Sequence, residues 1–271
     1  MEHGYRHFGL IGSALGDYPH LKELCSWLVQ KDVAFSPASL RVDCLDEELM
    51  ELLLAGGVKT LTVAPEAGSS RLRKLIHKQL SQDQILAVAK LAAMTGIYQL
   101  KLYFLMGLPT ETTKDLDDIV ELVNKIRKIM LTHRQSKQRS IQITVSINPF
   151  IPKPHTPMQW SPFAGLKALR EKQHYIQKLL RPLGNVRVEM ENVWDAAWQA
   201  LLSRGDEKLG SLLLDMVERP PLQRRMMREA MNHAAPIFAA QPEDKSLPWS
   251  FMQHHTPVAT LLNMYHQLRV S

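Results

Sequence analysis

The sequence predicts an α/β fold with parallel strands, in the form of a partial, open barrel followed by a mainly helical C-terminal extension. Three observations lead there. First, a short apolar strand ending in polar or glycine-rich residues and followed by a helical stretch recurs five times before residue 170. The clearest cases are Thr60–Glu66, Leu100–Pro109 and Ile141–Pro149. Second, β-branched and aliphatic residues fill these strands with little strict alternation, as expected of a sheet covered on both faces. Third, the connections are long enough for helical crossovers between parallel strands, which are right-handed. Five units are too few to close an eight-stranded barrel.

The elements follow in order. Phe8–Ser13 is a strand running into Gly12 and Ser13, and Leu21–Gln30 is a helix. Val33–Ser36 leads to Ser39–Arg41 as the second unit. A helix begins near Asp46, with Leu45, Leu49, Leu52 and Leu53 at helical spacing, and Gly56-Gly57 ends it. Thr60–Ala64 is the third strand. A helix after Gly68 carries Leu72, Leu75 and Ile76, and the next opens at Ser81 with Gln84 in a capping-box spacing. Leu100–Met106 is the fourth strand. Thr113 is expected to cap the helix whose buried stripe is Leu116, Ile119, Val120, Val123, Ile126 and Met130. Gln135–Arg139 is expected to be an exposed bend, and Ile141–Ile147 is the fifth strand.

The prolines between Asn148 and Pro162 exclude regular helix or central strand there. A helix follows from about Leu166 to Leu180, Val186–Met190 is a strand placed at an edge, and the remainder is helical. The predicted division is residues 1–165 for the partial barrel and 166–271 for the extension. Trp194 and Trp198 are one helical turn apart, a packing pattern.

Composition narrows the function. The chain has 271 residues, 45% of them hydrophobic, enough for a sizeable core. A formal charge of +6 is weak evidence for nucleic acid, which is not the expected partner. No apolar run is long enough for a membrane span, and no apolar secretory segment opens the chain. Two cysteines make no disulfide framework; Cys25 has the surroundings of a small buried hydrophobe, and a cytoplasmic location is expected.

Parallel strands put Gly12-Ser13, Ser39–Arg41, Pro65-Glu66, Gly107–Pro109 and Asn148-Pro149 at one edge, where such folds bind ligands. Glu66 can accept hydrogen bonds from an amine or from ribose hydroxyls, or it can cap the following helix. Arg41 can hold a ligand carboxylate in a bidentate fork, or pair with Asp43 or Glu66. Gly107 allows close approach to backbone or simply makes a turn. Lys101 in a strand requires a partner or a route to the rim. His155 has no partner at a metal-ligand spacing, and His254-His255 is a poor zinc pair. Glycine-rich dinucleotide, phosphate-loop and nucleophile-elbow motifs are absent.

The segment Phe8–Trp160 resembles the later two-thirds of a radical S-adenosylmethionine core, in the branch that often carries a cobalamin-binding domain. The resemblance rests on Gly9–Pro19, Ser36–Asp43, Ala64–Arg73, Tyr103–Thr112 and Asn148–Trp160, with Leu202–Gly210 in the tail. It implies a partial (β/α)₆ barrel in which S-adenosylmethionine binds an iron of a [4Fe-4S] cluster and gives a 5′-deoxyadenosyl radical. Cobalamin-linked members transfer methyl groups or rearrange carbon skeletons. By the same resemblance Gly12 and Ser13 face the methionine part of the cofactor and Ser39 and Arg41 line the cavity. Glu66 meets ribose or amine, and Gly107, Pro109, Asn148 and Pro149 approach the adenine. The family's Cys-x-x-x-Cys-x-x-Cys run is missing, so this chain cannot ligate the cluster, and any cluster or cobalamin belongs to a longer protein. The missing first strand and cluster loop would complete six strands if the strand at Val186 stays outside the barrel. Two explanations stay open: the C-terminal portion of a longer enzyme, inactive alone, or a clusterless module that binds S-adenosylmethionine or a nucleotide, or serves as a partner subunit. The open barrel edge along Phe8–Ile11 is expected to pair with a second copy or another chain.

Overall fold

The computed structural model describes residues 4–12, 14–135 and 140–270. Strand and helix alternate as the sequence predicts. β1 (His7–Leu10), α1 (Leu21–Gln30), β2 (Ala34–Pro37) and α2 (Glu47–Ala55) come first. β3 (Thr60–Glu66), α3 (Ser70–Leu75), α4 (Gln82–Thr95), β4 (Gln99–Met106), α5 (Thr113–His133) and β5 (Gln142–Pro149) follow. The chain continues through α6 (Leu166–Leu180) and β6 (Val186–Met190), then turns helical with α7 (Val193–Arg204), α8 (Lys208–Glu218), α9 (Gln223–Asn232), α10 (Ala235–Phe238) and α11 (Val258–Val270). Residues 136–139 of the expected bend lie outside the described residues.

Among the described residues the strands form two sheets. β1 pairs in parallel with β2, His7 opposite Ala34 and Leu10 opposite Pro37. The other sheet has the order β3-β4-β5-β6, with β3–β4 and β5–β6 parallel. The fold is therefore α/β with parallel strands and a mainly helical tail. β6 corrects one expectation. It is the last strand in its sheet, as an edge strand should be, but it does not stay apart: it pairs with β5 from Ile143–Val186 to Ile147–Met190. Lys101 finds its partner there, an ion pair of 2.9 Å to Glu189. Phe8 and Ile11, on and beside β1, are exposed.

A second correction concerns the sheet faces. β3 and β4 alternate strictly between buried and partly exposed positions. Leu61, Val63, Leu100, Leu102 and Phe104 are in the core, whereas Thr62, Ala64, Glu66, Lys101 and Tyr103 are on the more open face. Successive strand residues point to opposite faces, so one face is covered and the other is free to line a cavity. The near-continuous apolar character of these strands had concealed this, because small or amphipathic residues fill the open face.

The chain divides into two compact units. The first is Met1–Phe104, Thr112–Ile147 and Tyr175–Met190; the second is Leu105–Glu111, Asn148–His174 and Glu191–Ser271. In the first unit α4 and α5 pack together and bury Ile85, Val88 and Ala92 on one side and Leu116, Ile119, Val123 and Ile126 on the other. Local signals start these helices. Asp46 accepts from the Leu49 N–H at the head of α2, and Ser81 and Gln84 form the expected capping box at α4. At α5 the cap is Thr112 rather than Thr113, because Asp115 reaches back to the Thr112 N–H and hydroxyl at 2.8 Å each. In the second unit Trp160, Leu247, Trp249, Leu261 and Tyr265 form one buried cluster. Arg204, buried, donates to the carbonyls of Gln159, Ile237 and Ala239. Trp194 is half-buried with Arg170 over its ring, so its role is packing.

Gly68 is required by the fold. A Cβ there would lie 2.2 Å from the Ile119 amide nitrogen, so α5 passes directly over this backbone. We predict that Gly68→Ala lowers stability by about 1–3 kcal/mol, the usual range for overpacking. Urea unfolding followed by circular dichroism measures it, and an unchanged midpoint would contradict the close approach.

Candidate functional site

A cavity of about 520 Å³ opens in the first unit, within the size range of ligand pockets. Four segments build it: Ala14–Asp17 after β1, Ser39–Asp43 after β2, Ala64 and Glu66 on β3, and His77–Leu80 between α3 and α4. The first two are carried into place by backbone pairing. The Ala38 N–H donates to the Leu10 carbonyl at 2.9 Å, and the Leu40 N–H to the Thr62 carbonyl at 3.3 Å.

Glu66 is placed by an irregularity in β3. The register with β4 shifts between Val63 and Glu66, so that three steps on β3 match two on β4. This is a bulge, a device that re-aims a side chain. Pro65 inside the strand is compatible with it, because proline in sheets is confined to edges and bulges. Glu66 has φ +65°, a conformation uncommon outside glycine. The alternative role of Glu66 as a helix cap is not used: Ser69 caps α3, its Oγ accepting from the Leu72 N–H. Glu66 instead faces Lys78 at 3.5 Å. Burial pushes the Glu66 carboxyl above the usual carboxylate range, and Lys78 partly opposes this.

Arg41 lines the same cavity in an exposed ion pair. Its Nη2 and Nε donate to Asp43 at 2.5 and 3.0 Å, and Asp17 is 3.5 Å away. The Asp43 hydrogen bond raises the Arg41 pKa, and Arg41 in turn holds Asp43 low. Of the expected site residues, the cavity thus brings together Ser39, Arg41 and Glu66. Gly12 is not among its lining residues, and Ser13 lies outside the described residues. Asp17, Asp43 and Lys78 belong to the cavity although the sequence did not single them out as ligand groups.

The remaining expected residues, Gly107, Pro109, Asn148 and Pro149, are in the second unit. The Phe150 N–H donates to the Met106 carbonyl at 2.8 Å, which joins the segments that carry them. Gly107 has φ +85° and gives its N–H to both Glu111 carboxylate oxygens. A Cβ at Gly107 would lie 2.8 Å from Leu169, so packing and turn geometry already require glycine there. Glu111, buried, is ion-paired to Lys172.

Residues 3–123 match the Radical SAM superfamily model. The matched stretch contains the strands and loops that build this cavity. It is 40% identical over 211 residues to an uncharacterized protein of Methanocaldococcus jannaschii, covering 78% of this chain and 44% of that protein, so it spans less than half of the relative's length. Among solved structures it is similar to the Escherichia coli coproporphyrinogen III oxidase, described as a radical SAM enzyme. That likeness has a TM-score of 0.44 and 14% identity over 64% of this chain and 40% of the other. It is too distant to give any residue a role.

Radical SAM proteins generally use S-adenosylmethionine and a [4Fe-4S] cluster. The residues of this chain do not fit the cluster. Its two cysteines are fewer than three thiolate ligands. Cys25 is fully buried in α1, and burial pushes its thiol up to about 11, against the thiolate form. Cys44 donates its thiol to the Arg41 carbonyl. Among the described residues no group of three His, Cys, Asp or Glu side chains could hold a metal ion. S-adenosylmethionine itself is compatible with the 520 Å³ cavity, which offers carboxylates to its positive charges and cationic groups to its carboxylate. Among the described residues no helix is long and apolar enough to cross a membrane.

The burial of Glu66 has a measurable consequence. A carboxyl with a folded pKa above its unfolded value releases its proton first in the unfolded chain, so stability is lost as pH rises from the unfolded value through the folded one. Wild type should therefore fall behind Glu66→Gln in stability as pH rises through that window. Lys78→Met should raise the Glu66 pKa further. Carboxyl ¹³C NMR titration tests both, and a Glu66 that titrates at the ordinary glutamate value would contradict the geometry.

Proposed function

We propose that this chain forms the S-adenosylmethionine-binding later portion of a radical enzyme's core. In this proposal the cluster ligands are supplied by residues outside this chain, and the chain is inactive alone. The observation that carries the proposal is the cavity that gathers Ser39, Arg41, Glu66 and Lys78 behind three consecutive strands of a Radical SAM domain. The incomplete coverage of the Methanocaldococcus jannaschii relative is consistent with a longer protein. Cobalamin dependence, with methyl transfer or radical rearrangement in the whole protein, follows from motif likeness alone. A cytoplasmic setting accords with two free cysteines.

In this proposal Glu66 accepts hydrogen bonds from the ligand's ammonium group or ribose hydroxyls, and Lys78, 3.5 Å away, favours its charged form against the effect of burial. Arg41 meets the ligand carboxylate by exchanging one of its bonds to Asp43. Ser39 adds a hydroxyl to the same wall. The bulge at Ala64-Pro65 fixes the direction of the Glu66 side chain before ligand arrives, so little ordering is left for the binding step. When bound beside a reduced cluster, S-adenosylmethionine is a source of the 5′-deoxyadenosyl radical; this chain's own residues bind and orient it.

The cysteine deficit favours a second proposal, a clusterless binding module or partner subunit. The enzyme and a module that binds S-adenosylmethionine both expect binding and differ in what the whole protein does, whereas a nucleotide-binding module or a partner subunit does not require it. Isothermal titration with S-adenosylmethionine should show saturable binding, weakened at least about tenfold in Glu66→Gln, equivalent to about 1.4 kcal/mol. Absence of binding, or equal affinity in the variant, would overturn the assignment. Iron and sulfide reconstitution of a longer reading frame then separates the two proposals. A cluster spectrum there supports the enzyme, and its absence supports the module.

A further inference from the structure

The second unit contains a separate cavity of about 210 Å³ where the proline-rich segment meets the segment that leads into α11. Its base is aromatic. Trp160 and Trp249 are both buried, and Trp249 Nε1 donates to Gln159 Oε1 at 2.7 Å. The same oxygen accepts from the His155 N–H at 3.1 Å, so Gln159 is committed to holding the wall together.

His155 is the unusual member. Its backbone has φ +56°, and its ring is stacked on His254 with centroids 4.9 Å apart and planes 11° from parallel. Its Nε2 is buried without a hydrogen-bond partner. Among the described residues that is one of two such side-chain atoms, the other being Arg134 Nε. An orphaned buried polar atom calls for a missing partner. Here it coincides with an uncommon backbone conformation, the kind of strain that clusters at ligand clamps.

Donor groups line the same cavity. His254 Nδ1 accepts from the Thr256 N–H at 3.1 Å, which puts the ring proton on Nε2 and makes that atom a donor. Lys245 lines the cavity and, among the described residues, makes no salt bridge. Val258 lines it too, at the amino end of α11, where the helix dipole is positive. The carboxylate at the rim, Glu243, is held by His266 at 2.6 Å. The histidines are not a metal centre, since no group of three ligating side chains exists among the described residues. Leu247, Met252 and Pro257 supply apolar wall.

We propose that this cavity binds a small molecule through an oxyanion group, a carboxylate or a phosphate, held by Lys245, the His155–His254 pair and the amino end of α11, with its apolar part against Leu247 and Met252. The group is an anion because Lys245, His254 and the amino end of α11, all donors, line the cavity, and the nearby carboxylate of Glu243 is engaged by His266. It is small because the cavity has less than half the volume of the one in the first unit.

The test uses the full chain and two probes, inorganic phosphate and acetate, in a buffer free of other oxyanions. Long-range ¹H–¹⁵N NMR follows the His155 and His254 ring nitrogens. Saturable shifts with either probe are expected, and the tighter probe identifies the anion class. Lys245 is exposed, so Lys245→Ala should keep the fold, verified by an unchanged Trp249 indole N–H signal, and should weaken binding about tenfold or more. Shifts that stay linear with both probes, or an unchanged affinity in Lys245→Ala, would overturn the proposal.

Discussion

A guanidinium with almost no access to solvent ties together the two chain segments that carry Glu66 and Lys78. Arg73, 1% exposed, donates to the carbonyls of Ala67, Gly68 and Leu80 and to the Ser70 hydroxyl, at 2.7 to 3.0 Å. Burial pushes its pKa down, with Asp118 opposing. A buried charge is tolerated only when its donors are satisfied. Here the satisfying oxygens are neutral, so each depends on the loop keeping its shape. The geometry works in both directions: the loop solvates the charge, and the charge holds the loop.

Much of the first cavity follows from that clamp. Ala67 and Gly68 come directly after the bulge that aims Glu66, and Leu80 closes the segment His77–Gln79. The neighbouring Asp115 fixes the same region from α5. Burial alone would raise its carboxyl, but bonds from Ser69, Thr112 and Arg71 outweigh this and hold it below the usual range. Its stabilising contribution is present above the unfolded carboxyl pKa and is lost as pH falls through the lower folded value. Ser69 both caps α3 and donates to Asp115, so the loop is bound at its start and at its turn into the helix. Gly68 completes the arrangement by letting α5 lie against the backbone. The site is thus a property of packing around the β3–α3 loop more than of the lining residues themselves.

The parts of the structure governed by neighbouring residues were legible in the sequence. The Ser81–Gln84 box, the start of α2 near Asp46, the glycine stop after α2 and the strand cores depend on spacings of a few residues. Ser39, Arg41 and Glu66 were legible as a group because parallel strands carry their ends to one edge. What escaped depends on distant or opposing terms. The Lys78–Glu66 pair needs a loop to fold back. The Arg73 burial reverses the ordinary expectation that a helical arginine is solvated. Lys101 meets Glu189 only because β6 joins the sheet. Thr112 rather than Thr113 became the cap because Asp115, three residues on, completes the box. Pro65 was the one overlooked local sign, since a proline within a strand pattern marks a bulge.

The clamp can be tested without reference to any ligand. Arg73→Lys keeps a charge but cannot reach four oxygens in a fork. Native-state hydrogen exchange should show amide protection at Leu72, His77 and Lys78 falling by more than about tenfold, while Val63 in β3 and Leu102 in β4 keep theirs. Unchanged protection around Lys78, or an equal loss throughout β3 and β4, would contradict the account of Arg73 as the local organiser of the site.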